Sequence, residues 1–167
     1  MPTLFRDKAV VSNKKQEKES GGYMENKNEI TITFDSYSIN EGFARMAVAA
    51  FLTELNPTLD EIEDIKPAIS EAVTNAVIHG YEGTIGKVIL HFKREGSRVE
   101  IVVEDHGKGI KDIEKAREPF YTTKPELERS GMGFAFMEAF MDSVFVESKP
   151  DVGTRVTMTK KVGMREA

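Results

Sequence analysis

The chain has 167 residues, 40% of them hydrophobic and 31% charged, which suits one globular domain with a real core. Its net charge of −5 argues against general nucleic-acid binding. The absence of cysteine excludes a disulfide framework, a thiolate metal site and a thiol nucleophile, and no apolar run reaches the roughly 20 residues of a membrane span.

The first residues lack the apolar core of a signal peptide, so the chain reads as cytoplasmic. Residues 1–23 read as a mobile leader, because Lys14 to Gly22 contains no apolar side chain and cannot offset its ordering entropy. Met24 reads as an alternative translation start, and residues 24–167 as a single domain. Glu29 to Asp35 alternates, with Ile30, Ile32 and Phe34 on one side, as a half-buried strand does. Ser38 or Asn40 can cap a helix over about 41–55, on whose outer side Glu41 and Arg45 lie one turn apart. After the turn at Asn56-Pro57, Thr58 or Asp60 can cap a second helix that ends at His79-Gly80. Pro67 falls inside it and predicts a kink or break near residues 63–66.

That second helix carries Glu71, Asn75 and His79 at spacings of four, one polar line on an otherwise apolar surface. Such a line either faces water or faces a cavity whose ligand supplies the missing partners. A hairpin follows, with strands near 87–94 and 98–104 joined by Glu95-Gly96-Ser97. The second of these strands runs into Asp105-His106-Gly107-Lys108-Gly109, where an aspartate can accept from an amine such as that of adenine and glycines let backbone approach a flat ligand. The same pattern also serves plain turns. A short helical piece near 112–116 leads to residues 119–130, which read as a long mobile loop. Ser130-Gly131-Met132-Gly133 then opens a helix over 134–141, a place where free amides suit a phosphate, with Arg129 just before it. Strands at 143–148 and 153–160 close the chain, the last opening on Gly153-Thr154. The order predicts an α+β two-layer sandwich: a mixed, mostly antiparallel sheet with helices on one face.

Taken together, Glu71-x-x-x-Asn75, Asp105-x-Gly107-x-Gly109, a long lid ending in Gly131-Met132-Gly133, and Gly153-Thr154 resemble the Bergerat-type ATP-binding domain of gyrases, ninety-kilodalton chaperones, mismatch-repair ATPases and sensor histidine kinases. The resemblance spans about residues 29–161. Within that superfamily, the stretches Glu71 to Tyr81 and Phe120 to Phe134 look like the anti-sigma factors that restrain sigma F in spore-forming bacteria, with Phe43-Ala44-Arg45 and Glu138 to Glu147 in support.

That resemblance implies ATP and Mg²⁺ as cofactors and roles for particular residues. Glu71 would be the general base and Asn75 the Mg²⁺ ligand. Asp105 would read adenine beside Gly107 and Gly109, with Thr154 in support. Ser130, Gly131, Met132 and Gly133 would cradle phosphates; Thr123 and Lys124 would lie in the nucleotide-binding lid, with Arg129 near the γ-phosphate. Glu41 and Arg45 would face protein partners. His106 and Lys108 receive no role, and His79 is expected to support the helix end. The three histidines, at 79, 91 and 106, all fall inside the ATP-like region, which favours a domain acting in trans over a sensor histidine kinase. The implied function is a homodimeric anti-sigma factor that binds sigma F and phosphorylates an anti-anti-sigma protein on serine. The alternatives are a nucleotide-switched sigma-binding module with little kinase activity, and the stress-response branch that acts on sigma B.

Overall fold

A computed structural model describes residues 26–121, 126 and 132–163. Five strands form one sheet: β1 (Lys27–Asp35), β2 (Lys87–Glu95), β3 (Arg98–Asp105), β4 (Ser143–Lys149) and β5 (Gly153–Lys161), in the spatial order β1-β2-β3-β5-β4. Every pairing is antiparallel, so the expected mixed sheet is antiparallel throughout. The reason lies in the return path. The chain leaves β3, passes, among the described residues, through α3 (Ile113–Arg117) and α4 (Gly133–Phe140), and re-enters at the far edge as β4, so that the closing hairpin brings β5 back alongside β3 in the opposite direction. The β2–β3 hairpin pairs Glu95 with Arg98 and leaves Gly96-Ser97 as a two-residue loop, Gly96 taking the positive φ that such tight turns require.

Alternation assigns the faces. Val88, Leu90 and Phe92 lie opposite Asp105, Val103 and Ile101, which in turn meet Thr154, Val156 and Met158. The apolar members of this set are buried together with residues of α1 (Asn40–Leu52), α2 (Leu59–Asn75) and α4 (Gly133–Phe140), so the helices cover one face only. Ile69, Leu90, Ile101, Met137 and Met158 are fully enclosed, each contributing about 1.5–3 kcal/mol of apolar burial. Asp105 and Thr154 sit on this same core-facing side but at the sheet's end, where apolar pairs give way to polar ones.

Helix starts were only partly readable. Thr58 caps α2 as expected and forms a full capping box: Glu61 N–H donates to Thr58 Oγ1 at 3.1 Å, and Thr58 N–H to Glu61 Oε2 at 2.8 Å. α1 has no side-chain cap; its N-cap is Ile39, and the Asn40 amide donates to Asp35 O at 2.8 Å instead. The break expected near residues 63–66 is absent, since α2 runs through Pro67 without interruption. Proline removes one donor, so only the Glu63 carbonyl loses its helical partner, and Glu63 lies on the solvent side where water can satisfy it. Ile65, Ala68 and Ile69 are locked into the core on the other side. The irregularity comes later: residues Ala76–Gly80 form a π-helical turn, closed by Tyr81 N–H donating to Ala76 O at 3.1 Å.

Candidate nucleotide site

A cavity of about 620 Å³ opens between α2, the end of β3, the loop after it and the start of α4, a size suited to a nucleotide. Asn75, His79, Asp105, Gly109, Gly133 and Thr154 line it. The polar line therefore turns toward a cavity at Asn75, the last residue of α2, and at His79 in the π-helical turn that follows.

Asp105 is the most unusual group in it. It is only 4% exposed, and burial pushes its carboxyl up to about 6, against amide hydrogen bonds from Gly107 and Thr154 that pull the other way. Gly107 N–H donates to Asp105 Oδ1 at 2.9 Å, closing a tight turn. A side chain at 107 is excluded: a Cβ there would stand 2.1 Å from Gly80 O. Gly107 thus shapes the loop from behind the cavity, while Gly109, with φ +69, stands on its wall.

Thr154 faces Asp105 across β3 and β5 and is held by a residue that sequence patterning passed over. Ser148 Oγ donates to Gly153 O at 2.9 Å, so its lone pairs accept Ile110 N–H at 2.8 Å and the Thr154 hydroxyl at 2.8 Å. One hydroxyl on the edge strand β4 ties together the loop and both strands of the closing hairpin.

At the other end of the cavity, α2 meets the start of α4. A Cβ on Gly133 would lie 3.1 Å from Glu71 Oε2 and 3.3 and 3.4 Å from the two amide atoms of Asn75. Glu71 is not part of the cavity wall itself but stands beside Gly133, one turn before Asn75. Met132 is the N-cap residue of α4. Among the described residues, no group of three or more His, Cys, Asp or Glu could hold a metal alone. A single Asn oxygen in a roomy cavity fits a hard cation that takes its other ligands from phosphates and water.

Thr123, Lys124, Arg129, Ser130 and Gly131 lie outside the described residues. Glu41 and Arg45 lie apart from the cavity, on α1. They are less solvated than their spacing suggested: Arg45 Nη1 pairs with Glu41 Oε1 at 2.7 Å and donates to Ser70 Oγ at 3.0 Å, beside Glu71. His79, expected to be structural, is on the cavity wall. No helix among the described residues is long and apolar enough to cross a membrane.

A one-sided antiparallel sheet with a nucleotide-sized cavity between a Glu-x-x-x-Asn helix and an Asp-x-Gly-x-Gly loop defines a nucleotide-binding domain of the kinase type. A family model described as a histidine kinase-like ATPase domain matches residues 39–160. The chain is 56% identical over 137 residues to the anti-sigma F factor of Oceanobacillus iheyensis, covering 81% of this chain and 94% of that protein. It is 51% identical over 142 residues to the anti-sigma F factor of Bacillus subtilis strain 168, covering 84% and 97%. A crystal structure of the RsbU and RsbW domains of a Mycobacterium tuberculosis protein superposes with a TM-score of 0.60 at 25% identity, covering 81% of this chain and 32% of that one. The chain belongs to the anti-sigma F factor family, with the ATP-binding fold of histidine kinase-like ATPases.

Proposed function

We propose that this protein binds and inhibits sigma F and uses ATP with Mg²⁺ to phosphorylate its anti-anti-sigma antagonist on serine. One observation carries the chemical part: Glu71 and Asn75 converge on Gly133 at one end of a cavity whose other end holds the buried carboxylate of Asp105. That spacing suits a nucleotide laid from adenine to phosphates, with a base at the phosphate end. The sigma F part is supported by the names of the relatives, which match at 51–56% identity, against 25% for the RsbW-containing structure.

In this reading Asp105 accepts from the adenine amine, and Gly107, Gly109 and Thr154 set the shape around it. Gly133, with Met132, Ser130 and Gly131, offers amides to the phosphates. Thr123 and Lys124 complete the lid, and Arg129 meets the γ-phosphate. Asn75 would hold Mg²⁺, which when bound neutralises phosphate charge and fixes its geometry. Glu71 takes the proton of the antagonist's serine hydroxyl as the new O–P bond forms; the bond to the β-phosphate oxygen breaks, and ADP leaves. Glu41 and Arg45 form part of the partner surface, and two protomers associate through the first strand and helix region.

The test separates chemistry from binding. Glu71→Gln with ATP should capture sigma F as the wild type does, yet phosphorylate the antagonist at a rate lower by about 10³-fold or more, the scale of losing a general base and its positioning. Normal phosphorylation by Glu71→Gln would remove Glu71 from its role.

A further inference from the structure

Tyr81 has no part in the reading above, yet it is built into the wall behind the adenine end. The π-helical turn at Ala76–Gly80 delivers it there. Its hydroxyl donates to the Lys87 carbonyl at the start of β2 and accepts the N–H of His106, in the loop after β3, at 2.9 Å. Burial raises the phenol above its ordinary value, so it stays a donor at any working pH. The ring lies flat across Gly86, where a Cβ would stand 2.0 Å from Tyr81 Cε1; only glycine fits beneath it.

The neighbouring amides are held just as firmly. His106 N–H goes to Tyr81 Oη, Gly107 N–H to Asp105 Oδ1, and Lys108 N–H to Gly80 O at 2.9 Å. Three consecutive donors directly after Asp105 thus have fixed acceptors, two of them supplied by Gly80 and Tyr81. Two residues at the end of the helix that bears Glu71 and Asn75 therefore dictate the path of the loop that begins with Asp105.

We propose that Tyr81 is a positioning residue of the nucleotide site, its hydroxyl clamping the loop after Asp105 so that the carboxylate is presented to an adenine base. The proposal rests on the reading of Asp105 as the adenine acceptor. It predicts a selective defect. Tyr81→Phe keeps the ring over Gly86 and loses only the clamp, so ATP should bind about fivefold more weakly, the scale of one hydrogen bond. GTP, which has no amine at that position, should bind as it does to the wild type. At saturating ATP kcat should stay within twofold, the defect appearing in KM. In an Asp105→Asn background Tyr81→Phe should cause no further loss.

Equilibrium titration of the four proteins with ATP and GTP decides it. Equal losses for both nucleotides, unchanged ATP binding by Tyr81→Phe, or additive losses in the double variant would overturn the role of Tyr81. If Asp105→Asn binds ATP like the wild type, the adenine reading falls, and the Tyr81 proposal falls with it. Amide exchange in the wild-type chain gives a readout independent of any variant: the His106 N–H should be strongly protected, and fast exchange would contradict the clamp.

Discussion

With Asp105 as the proposed adenine acceptor, its carboxyl, pushed up to about 6 by burial, should make nucleotide binding pH-dependent. An adenine amine donates to the ionised form, so binding favours loss of the proton. ATP affinity should rise as pH goes from 5 to 7 and level off above it, the change near pH 5 amounting to about tenfold. Calorimetry below pH 6 should register a proton released on binding. Asp105→Asn should bind more weakly, with no such pH dependence, and a flat wild-type profile would contradict the assignment. The nucleotide-free protein should behave in the opposite sense. A carboxyl with its folded value above its ordinary 3.8 contributes stability that is fully present below that value and is lost as pH rises through about 6. The motif Asp105-x-Gly107-x-Gly109 was readable in the sequence because its spacing is local. Tyr81 and Ser148 were not: their partners His106 and Ile110 lie 25 and 38 residues away, and no periodicity encodes those contacts.

Among the elements, α2 matters most, because it carries Glu71 and Asn75 and runs on through the π-helical turn to Tyr81. Its start was legible, since Thr58 and Glu61 stand at capping-box spacing. Thr58→Ala should remove the Oγ1 acceptor of Glu61 N–H, leaving only the backbone bond from residue 58 to Glu61, and destabilise the protein by about 1 kcal/mol, a drop of roughly 2–4 °C in Tm by calorimetry, with ATP affinity unchanged. Its irregular part was not legible. Pro67 signals disruption by a local rule, but buried Ile65, Ala68 and Ile69 hold the helix straight enough to continue. The π-helical turn follows no local rule; it occurs where Gly80 must reach Gly107 and Lys108. Strand alternation fared better, since the apolar faces of β2 and β3 follow directly from it.

For the whole molecule, one covered sheet face and one open face were predictable from element order, while the all-antiparallel pairing was not. That pairing depends on β4 taking the outer edge, a choice made by long-range packing. At the opposite edge, β1 leaves Ile30 40% exposed, and on α1 Phe43 and Met46 are 59% and 61% exposed. These apolar side chains suit the proposed association of two protomers. Light scattering should give twice the 18.7 kDa chain mass, and Ile30→Glu should return it to a single chain; a monomeric wild type at micromolar concentration would contradict this.

The central claim is phosphotransfer to serine by the site built on Glu71, Asn75 and Asp105. Its most direct measurement is phosphoserine on the purified anti-anti-sigma protein after incubation with the wild-type chain, Mg²⁺ and labelled ATP. The predicted result is close to one phosphoserine per antagonist, none without Mg²⁺, and an initial rate lower by about 10³-fold or more with Glu71→Gln. An unlabelled antagonist, from wild-type protein that binds ATP, would contradict it.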